Sequence, residues 1–493
     1  MTLTTLETLP PQMVTKFEPL TPGWWATRLH NQLVARQAEI TKMRRYAGGD
    51  HDNPSIEARA SRAFRRIMGL SKTNLSGLII DAAAERMAVS GFRFGDAPDA
   101  DKDAWAIWQQ SDFDADFELV INEALTAGRA FILVEPTAPG AKWPSLYAED
   151  ATQMIIAYAP GNRRERLAAW KEWIDEWTGK TFGTLYLPAE IYKLQARRPL
   201  GVVDVQQPLY WTLRDERTEY ERNPLGEVPV WEVPNRPKLQ IGQVESEIAD
   251  VIVDQDACNH IALNALIAAE YGAFKQKWMT GLSIPRDPQT GQAIEPFDVA
   301  VNRMLVSENE NAKFGDFEAT ALDPYIALYE SRVKHMAAVS RTPVAMLLGG
   351  MVNVSAEALA LSVAGLVQKV KRKTRYMDQA PEAALRAAFK LAGDGRANAT
   401  TAETIWVDPE IRSAAQQADA AVKLVSGEVI SRQTAQELYL GMTGPQRTRD
   451  DNSMRGNSLL LQMADRLDAQ SRPTLSARQL VSGDSSDSEP PSS

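Results

Sequence analysis

Cysteine is almost missing from this sequence of 493 residues, in which Cys258 is the only one. One thiol cannot form a disulfide within the chain or a metal site built from several cysteines, so both are excluded. The sequence also lacks any apolar run of about eighteen residues, the length that a membrane-spanning helix needs. It shows no positively charged start followed by an apolar core, so we expect neither a membrane span nor a signal peptide.

A surplus of positive charge is also absent. Lysine and arginine number 54 against 64 aspartate and glutamate residues, which gives a formal net charge of −10. A protein that grips nucleic acid along its whole surface needs the opposite balance, because phosphate binding depends on many lysine and arginine contacts. The acidic balance is compatible with a protein past which nucleic acid slides.

The sequence contains none of the short motifs that usually mark an enzyme. There is no phosphate-binding loop of the form Gly-x-x-x-x-Gly-Lys-Ser/Thr, and no His-Glu-x-x-His, Gly-x-Ser-x-Gly or Cys-x-x-Cys. The four histidines are far apart in the sequence; they are His30, His51, His260 and His335. We therefore predict no catalytic residue, no cofactor and no metal site.

Regular apolar spacing indicates helices at about residues 24–45, 74–88 and 101–125. Over residues 128–195 the apolar period changes to two, which is typical of strands in an antiparallel sheet. The segment 170–177 also fits helical spacing, so both interpretations stay open there. A chain of this length usually folds as more than one module. We predict an α+β protein that is mainly helical.

The most regular pattern predicts a long helix over residues 246–274, an insertion at 275–320 and a returning helix at about 324–340. An apolar loop with two glycines follows. Next comes a long helix from Ala356 towards Leu391, bent near Pro381. The chain is helical again from 411 to about 440.

Charged residues are unevenly placed. Between Arg36 and Lys72, basic residues outnumber acidic ones, which is typical of a solvated face, a subunit contact or a DNA contact. Three acidic side chains share one face of the 246–274 helix; they are Glu247, Asp250 and Asp254. Such a face is usually solvated, and if it faced a channel it would repel phosphate. A second basic run lies in the last long helix and consists of Lys369, Lys371, Arg372, Lys373 and Arg375.

Several short motifs occur in a distinctive order. Arg341-Thr342-Pro343 precedes Leu347-Leu348-Gly349, and Asn353-Val354-Ser355-Ala356-Glu357-Ala358-Leu359 follows. Tyr46-Ala47-Gly48-Gly49 comes early, and Trp406-Val407-Asp408-Pro409 comes late. In this order the sequence resembles the portal proteins of tailed bacteriophages, in particular those of long-tailed phages of actinobacteria, over residues 24 to 445.

The resemblance implies a portal fold with wing, stem, clip and crown regions, long stem helices and an antiparallel sheet in the wing. It implies these boundaries: wing 24–245, stem helix 246–274, clip 275–321, stem helix 322–341, tunnel loop 342–355, long wing helix and return 356–405, and crown 406–465. The two ends carry no family signal, and composition alone predicts an extended N-terminal arm at 1–23 and a serine-rich disordered tail at 466–493.

The resemblance also implies a function without enzymatic activity: a dodecameric ring at the unique capsid vertex, through which double-stranded DNA is packaged and ejected. The implied partners are the terminase large subunit, the head-tail connector or adaptor protein, and the major capsid and scaffolding proteins. The implied location is the virion, after assembly in the host cytoplasm.

Two sets of residues would meet DNA or neighbouring subunits in such a ring. The tunnel loop would contact DNA through Leu347, Leu348, Gly349, Gly350, Met351, Val352 and Asn353. The second basic run would contact DNA or a subunit through Lys369, Lys371, Arg372, Lys373 and Arg375. The alternative interpretations are another virion structural protein, such as a minor head protein or adaptor, and a packaging ATPase or nuclease.

Overall fold

A computed structural model describes the chain in separate stretches. They are residues 19–54, 66–95, 100–197, 210–215, 220–273, 277–280, 288–292, 311–318, 320–349, 356–410, 414–442, 444–457 and 463. The chain forms two compact units, Met1–Ser413 and Ala414–Ser493. The tail expected at 466–493 and most of the N-terminal arm lie outside the described residues.

In the first unit residues 66–70 are helical, and nine further α-helices have described bounds. They are α1 (Pro22–Ala47), α2 (Leu75–Ala84), α3 (Lys102–Gln110), α4 (Phe113–Ala127), α5 (Ile252–Ala273), α6 (Asp323–Ser340), α7 (Val344–Leu348), α8 (Ala356–Met377) and α9 (Gln379–Leu391). Side-chain caps fix several starts: the oxygen of Thr21 accepts from Trp24 N, and Asn74 accepts from Gly77 N.

The helix predicted at 101–125 is two helices, so this prediction is wrong in its continuity. Asp101 caps α3 by accepting from the backbone N–H groups of Asp103 and Ala104. Between the helices, Asp112 has φ 52°, a left-handed conformation that interrupts an α-helix. Aspartate tolerates this conformation better than most residues do, and apolar spacing alone does not reveal it.

The first unit also contains thirteen described strands. They are β1 (Val89–Phe94), β2 (Arg129–Glu135), β3 (Ser145–Glu149), β4 (Met154–Ala159), β5 (Asn162–Asp175), β6 (Lys180–Tyr186), β7 (Glu190–Arg197), β8 (Tyr210–Leu213), β9 (Glu221–Arg222), β10 (Val230–Pro234), β11 (Lys277–Thr280), β12 (Lys313–Asp316) and β13 (Ala402–Trp406). All pairings are antiparallel.

The strands form four described sheets. Their orders are β1-β13, β10-β2-β3, β11-β12, and β4-β5-β6-β7-β8 with β9 paired to β7. The antiparallel sheet predicted over residues 128–195 is confirmed, as is the α+β, mainly helical class. The ambiguous segment 170–177 falls largely in strand β5, where Trp170 packs so closely over Gly183 that a methyl group there would overlap its ring.

The three-stranded sheet lies between two layers. On one face of β2, Ala130, Ile132 and Val134 join the core formed with helices α4 and α9. On the other face, Phe131 and Leu133 pack against the six-stranded sheet. This alternation is the period-two pattern expected of a strand that is buried on both sides.

Helices α5 and α6 form an antiparallel pair. His335 Nδ1, near the end of α6, lies 2.9 Å from Asp254 Oδ2, near the start of α5. The described strands β11 and β12 pair with each other between the two helices in sequence. The predicted helix–insertion–helix order is therefore confirmed.

The predicted start of the first long helix at residue 246 is wrong. A short 3-10 turn at Ala249–Val251 leads into α5 at Ile252. Glu247 precedes both, and its backbone N–H donates to Leu125 O at 2.8 Å. A tertiary hydrogen bond therefore holds this segment outside the helix, and apolar spacing does not report it.

The helix predicted from Ala356 towards Leu391 is divided between α8 and α9 at Asp378. Pro381 explains why the break falls at Asp378, because a proline has no N–H and its ring crowds the carbonyl four residues earlier, at Met377. The second unit contains α10 (Ala414–Ser426), α11 (Arg432–Leu438) and α12 (Gly444–Asn457). Ser431 caps α11 after a turn that divides the helix predicted at 411–440.

Candidate functional site

The apolar loop after α6 is the first candidate site. Arg341 has φ 54° and ends α6, and Pro343 precedes the short helix α7. Gly349 ends α7 with φ 70°, which strongly favours glycine. Leu347 is 7% exposed and belongs to the core of the first unit, whereas Leu348 is 36% exposed. The other predicted loop residues, Gly350, Met351, Val352 and Asn353, lie outside the described residues.

Two of the five basic residues on α8 are buried. Lys369 and Lys373 are each 4% exposed, and both pair with Glu247. Lys373 also donates to Asn235 Oδ1, and Lys369 donates to Ser340 O at 2.8 Å. This buried group, Glu247 with Lys369 and Lys373, connects the segment before α5, the end of α6 and the C-terminal half of α8.

Burial and charge pairing act against each other in this group. Burial raises the pKa of Glu247, but the two ammonium groups outweigh it and hold that pKa below its usual value. Burial lowers the pKa of Lys373 to about 8, against the opposing effect of Glu247. A buried pair of this kind contributes little net stability, but removing one partner leaves an uncompensated charge.

The other three basic residues of the run face outwards. Lys371 donates to Glu410 at 2.6 Å, and Arg372 and Arg375 are exposed without an ion pair to any described residue. Only these last two keep a guanidinium group available to a partner. Sequence alone could not separate them from Lys369 and Lys373, because a basic run over two helical turns covers several faces.

The acidic face predicted to be solvated is paired instead. Glu247 and Asp254 are buried, and Asp254 contacts His335 and, at 3.5 Å, Arg332. Asp250 Oδ2 lies 2.8 Å from Arg236. The expected solvated surface is therefore corrected, because these carboxylates meet basic partners from other elements.

The distal half of the α5–α6 pair exposes apolar side chains. No residue of α5 after Leu263 is buried, although this part is rich in alanine and contains Leu266 at 36% and Tyr271 at 54% exposure. On α6, Ile326 is 55% exposed and Leu328 is 49% exposed. Exposed apolar side chains on both helices of a pair are typical of a protein contact. The sequence did carry this signal, since apolar residues lie on several faces of α6.

Nothing in the described part of the chain forms a metal site or a membrane span. Within those residues, no three His, Cys, Asp or Glu side chains meet as candidate ligands. None of the described helices is long and apolar enough to cross a lipid bilayer.

Comparison with known proteins identifies relatives. Residues 28–474 match the family described as phage portal protein, SPP1 Gp6-like. The portal protein of Mycobacterium phage D29 is 31% identical over 377 residues, which covers 73% of this chain and 74% of that protein. The portal protein of Mycobacterium phage L5 is 31% identical over 363 residues, which covers 70% of this chain and 71% of that protein.

Solved structures with a weaker likeness come from gene transfer agent particles. A chain in the neck of the empty particle, computed with C6 symmetry, shares 12% identity and covers 76% of this chain and 91% of its own, with a TM-score of 0.41. A chain in the neck of the native particle, computed with C12 symmetry, shares 12% identity over 80% and 98%, with a TM-score of 0.38. At these scores the likeness carries no argument.

The family match spans most of the chain, and both mycobacteriophage relatives cover more than two thirds of each sequence at 31% identity. The resemblance drawn from the motifs around residues 341–359 is thereby confirmed. This chain belongs to the SPP1 Gp6-like family of phage portal proteins.

Proposed function

We propose that this chain forms a closed ring of twelve subunits at one vertex of a phage capsid, and that double-stranded DNA enters and leaves through the axial channel. Membership of the portal family supports the class of function. The ring uses one surface of each subunit against a different surface of the next, which is a heterologous contact that closes.

The apolar distal half of the α5–α6 pair is the observation that carries this proposal. Leu266, Tyr271, Ile326 and Leu328 are exposed on a single protomer. Water contact with this much apolar surface is unfavourable, at about 25 cal/mol per Å² of apolar area. Copies of the pair packed side by side around an axis would bury these side chains and build a rigid channel wall.

The same arrangement supports the expected regions. The α5–α6 pair corresponds to the stem, and the β11–β12 ribbon between its helices corresponds to the clip. The three-stranded sheet β10-β2-β3 and the six-stranded sheet, which contains β4 to β9, would belong to the wing. The apolar segment 342–355 corresponds to the tunnel loop, and residues 406–465 to the crown.

The tunnel loop would touch DNA without holding it. Leu348 and the permissive backbone at Gly349 offer no strong bond to phosphate, so each contact is released as DNA advances. A wall of many basic residues would instead bind DNA by counterion release and retain it. Lys369 and Lys373 are occupied by Glu247 and so would not form such a wall.

The ring would act with other proteins and would not itself be an enzyme. The terminase large subunit would dock at the clip and supply ATP hydrolysis, and the head-tail connector would replace it there. The major capsid and scaffolding proteins would surround the wing. The ring would assemble in the host cytoplasm and reside in the virion.

Suppressing production of this chain in an infected host tests the proposal. We expect heads that assemble in reduced number and contain no DNA, because the entry channel is missing. DNA-filled heads in normal number would contradict the proposal and favour another virion component. ATP turnover by the isolated protein would favour a packaging enzyme.

A further inference from the structure

A broad cleft lies at the β10 edge of the three-stranded sheet. Its volume is about 950 Å³, and it is lined by the β4–β5 hairpin, by the loop after β10 and by the outer faces of α8 and α9. Four arginines line it without an ion pair to any described residue; they are Arg163, Arg164, Arg375 and Arg386. The cleft is therefore a concentration of available positive charge on an acidic protein.

The other charges of the cleft are already compensated. Arg166 donates to Glu227 at 2.8 Å, and Lys238 pairs with Glu245. Glu232, the one carboxylate of the lining, accepts from Tyr158 at 2.8 Å and pairs with Arg129 at 2.9 Å. The four remaining arginines thus give the cleft its net positive charge.

Apolar side chains stand beside these arginines. Leu239 is 87% exposed and Ile241 is 38% exposed, both in the loop after β10, and Tyr376 of α8 is 44% exposed. Phosphate groups gain nothing from exposed leucine and isoleucine. A protein surface that combines carboxylates with an apolar side chain gains from both kinds of contact.

The same chain exposes such a surface on α4. This helix carries four acidic residues and no lysine or arginine; of the four, Glu123 is paired with Arg44 and Asp116 is half-buried. Asp114 and Glu118 are exposed and have no ion pair to any described residue. Leu119, next to Glu118 on the same helix, is 64% exposed.

The cleft and the acidic face of α4 lie towards opposite edges of one sheet. Helix α9 packs over β10 and β2, whereas α4 packs mainly over β2 and β3. The sheet order β10-β2-β3 therefore places the cleft at one lateral edge and α4 towards the other. Two complementary surfaces on opposite sides of a subunit are what a head-to-tail ring contact requires.

We propose that the arginine cleft receives the acidic face of α4 from a neighbouring copy of this chain, so that Arg163 and Arg164 meet Asp114 and Glu118 across each subunit contact. This inference rests on the proposed ring. It adds an electrostatic contact between wings to the apolar contact between stems. Because each surface is complementary to the other and repels a copy of itself, the contact also fixes the head-to-tail direction of the ring.

Charge reversal on each surface tests the contact. The cleft variant is Arg163→Glu with Arg164→Glu, and the helix variant is Asp114→Lys with Glu118→Lys. All four side chains are exposed, so each variant is expected to fold, which circular dichroism and the melting temperature verify. The fraction of full-length chain in rings is measured by native mass spectrometry at one protein concentration.

Each variant alone places like charges across every contact, and we expect the ring fraction to fall at least about tenfold. An equal mixture of the two variants places opposite charges at every contact of an alternating ring. We therefore expect the mixture to recover rings that contain both variants in equal number. A chain that carries all four substitutions is expected to recover rings as well.

The outcomes separate this inference from the proposed function. If the wild type forms rings and either variant forms them equally well, the contact is wrong while the ring stands. If the cleft variant forms normal rings but retains less DNA, the cleft binds nucleic acid and the inference is overturned. If the wild type forms no rings, both proposals fail. The control matched to the cleft variant, Arg28→Glu with Lys180→Glu, makes the same charge change elsewhere and should leave the ring fraction unchanged.

Discussion

The ammonium group of Lys369 lies 3.0 Å from Glu247 Oε1, inside the protein, and also donates to Ser340 O. One side chain of α8 thereby contacts both the segment that precedes α5 and the end of α6. Lys373 pairs with the other carboxylate oxygen of Glu247. The segment 341–355, which leaves α6 and returns as α8, thus starts and ends on helices that this group holds together.

Replacing Glu247 with glutamine is expected to lower the free energy of unfolding of the first unit by about 3 to 5 kcal/mol, because two buried ammonium groups lose their counter-charge. Chemical denaturation measures the change. The control is Lys371→Ala, which breaks the partly exposed pair with Glu410 and should cost less than about 1 kcal/mol. Equal losses from the two variants would contradict the role of this buried group.

The pair Asp378 and Glu382 makes stability depend on pH. Burial raises the pKa of Asp378 to about 6, and burial together with the charge of Asp378 raises that of Glu382 to about 7. The folded state binds these protons more tightly than the unfolded chain does. The two carboxyl groups therefore contribute fully to the free energy of unfolding below about pH 4, and this contribution is lost as the pH rises through 7.

The variant Glu382→Gln stays neutral at every pH and keeps an oxygen for the Thr404 N–H, which donates at 3.1 Å. Its melting temperature should exceed that of the wild type by a margin that grows from pH 5 to pH 8, equivalent to about 1 to 2 kcal/mol at the upper end. The control is Glu85→Gln, which removes an exposed carboxyl group and should change the melting temperature by the same small amount at every pH. Parallel curves for Glu382→Gln and the wild type would refute the assignment.

The exposed apolar surface of the helix pair gives a prediction about assembly. The double variant Leu266→Asp and Ile326→Asp should keep the fold, since surface substitutions change stability by about 0.5 kcal/mol or less, but should lose rings because each contact would bury carboxylates. Size-exclusion chromatography with light scattering gives the mass. Ile174→Asp changes a still more exposed apolar side chain on β5 and should leave rings intact. Intact rings in the double variant would show that α5 and α6 do not form the contact.

Replacing Gly349 and Gly350 with proline tests the tunnel loop. Gly349 has φ 70°, which proline cannot adopt, so the variant stiffens and redirects the loop. We expect intact rings but failed DNA packaging, measured as DNA per head. Gly140→Pro, at another positive φ with open space around it, should package normally. Normal packaging by the loop variant would remove the flexible-loop role.

Periodic features of the chain could be predicted from the sequence. The helix–insertion–helix order and the antiparallel sheet follow from apolar spacing, because burial of one face imposes that spacing. The break at Asp112 and the start of α5 at Ile252 could not, since a left-handed residue and a tertiary hydrogen bond at Glu247 decide them. Local pattern carries no information about either.

The candidate surfaces were harder to predict than the fold. The basic run on α8 was visible, but only the packing of Glu247 against Lys369 and Lys373 shows which members are occupied. The arginine cleft draws Arg163 and Arg386 from positions more than two hundred residues apart in sequence. No spacing rule brings such residues together before the fold is known.

Electron microscopy of the purified full-length chain tests the central claim most directly. Copies of this protein packed through α5 and α6 should appear as closed rings with a central hole and twelve repeated subunits. Monomers at high protein concentration, or closed shells without an axial opening, would contradict a channel built from this chain.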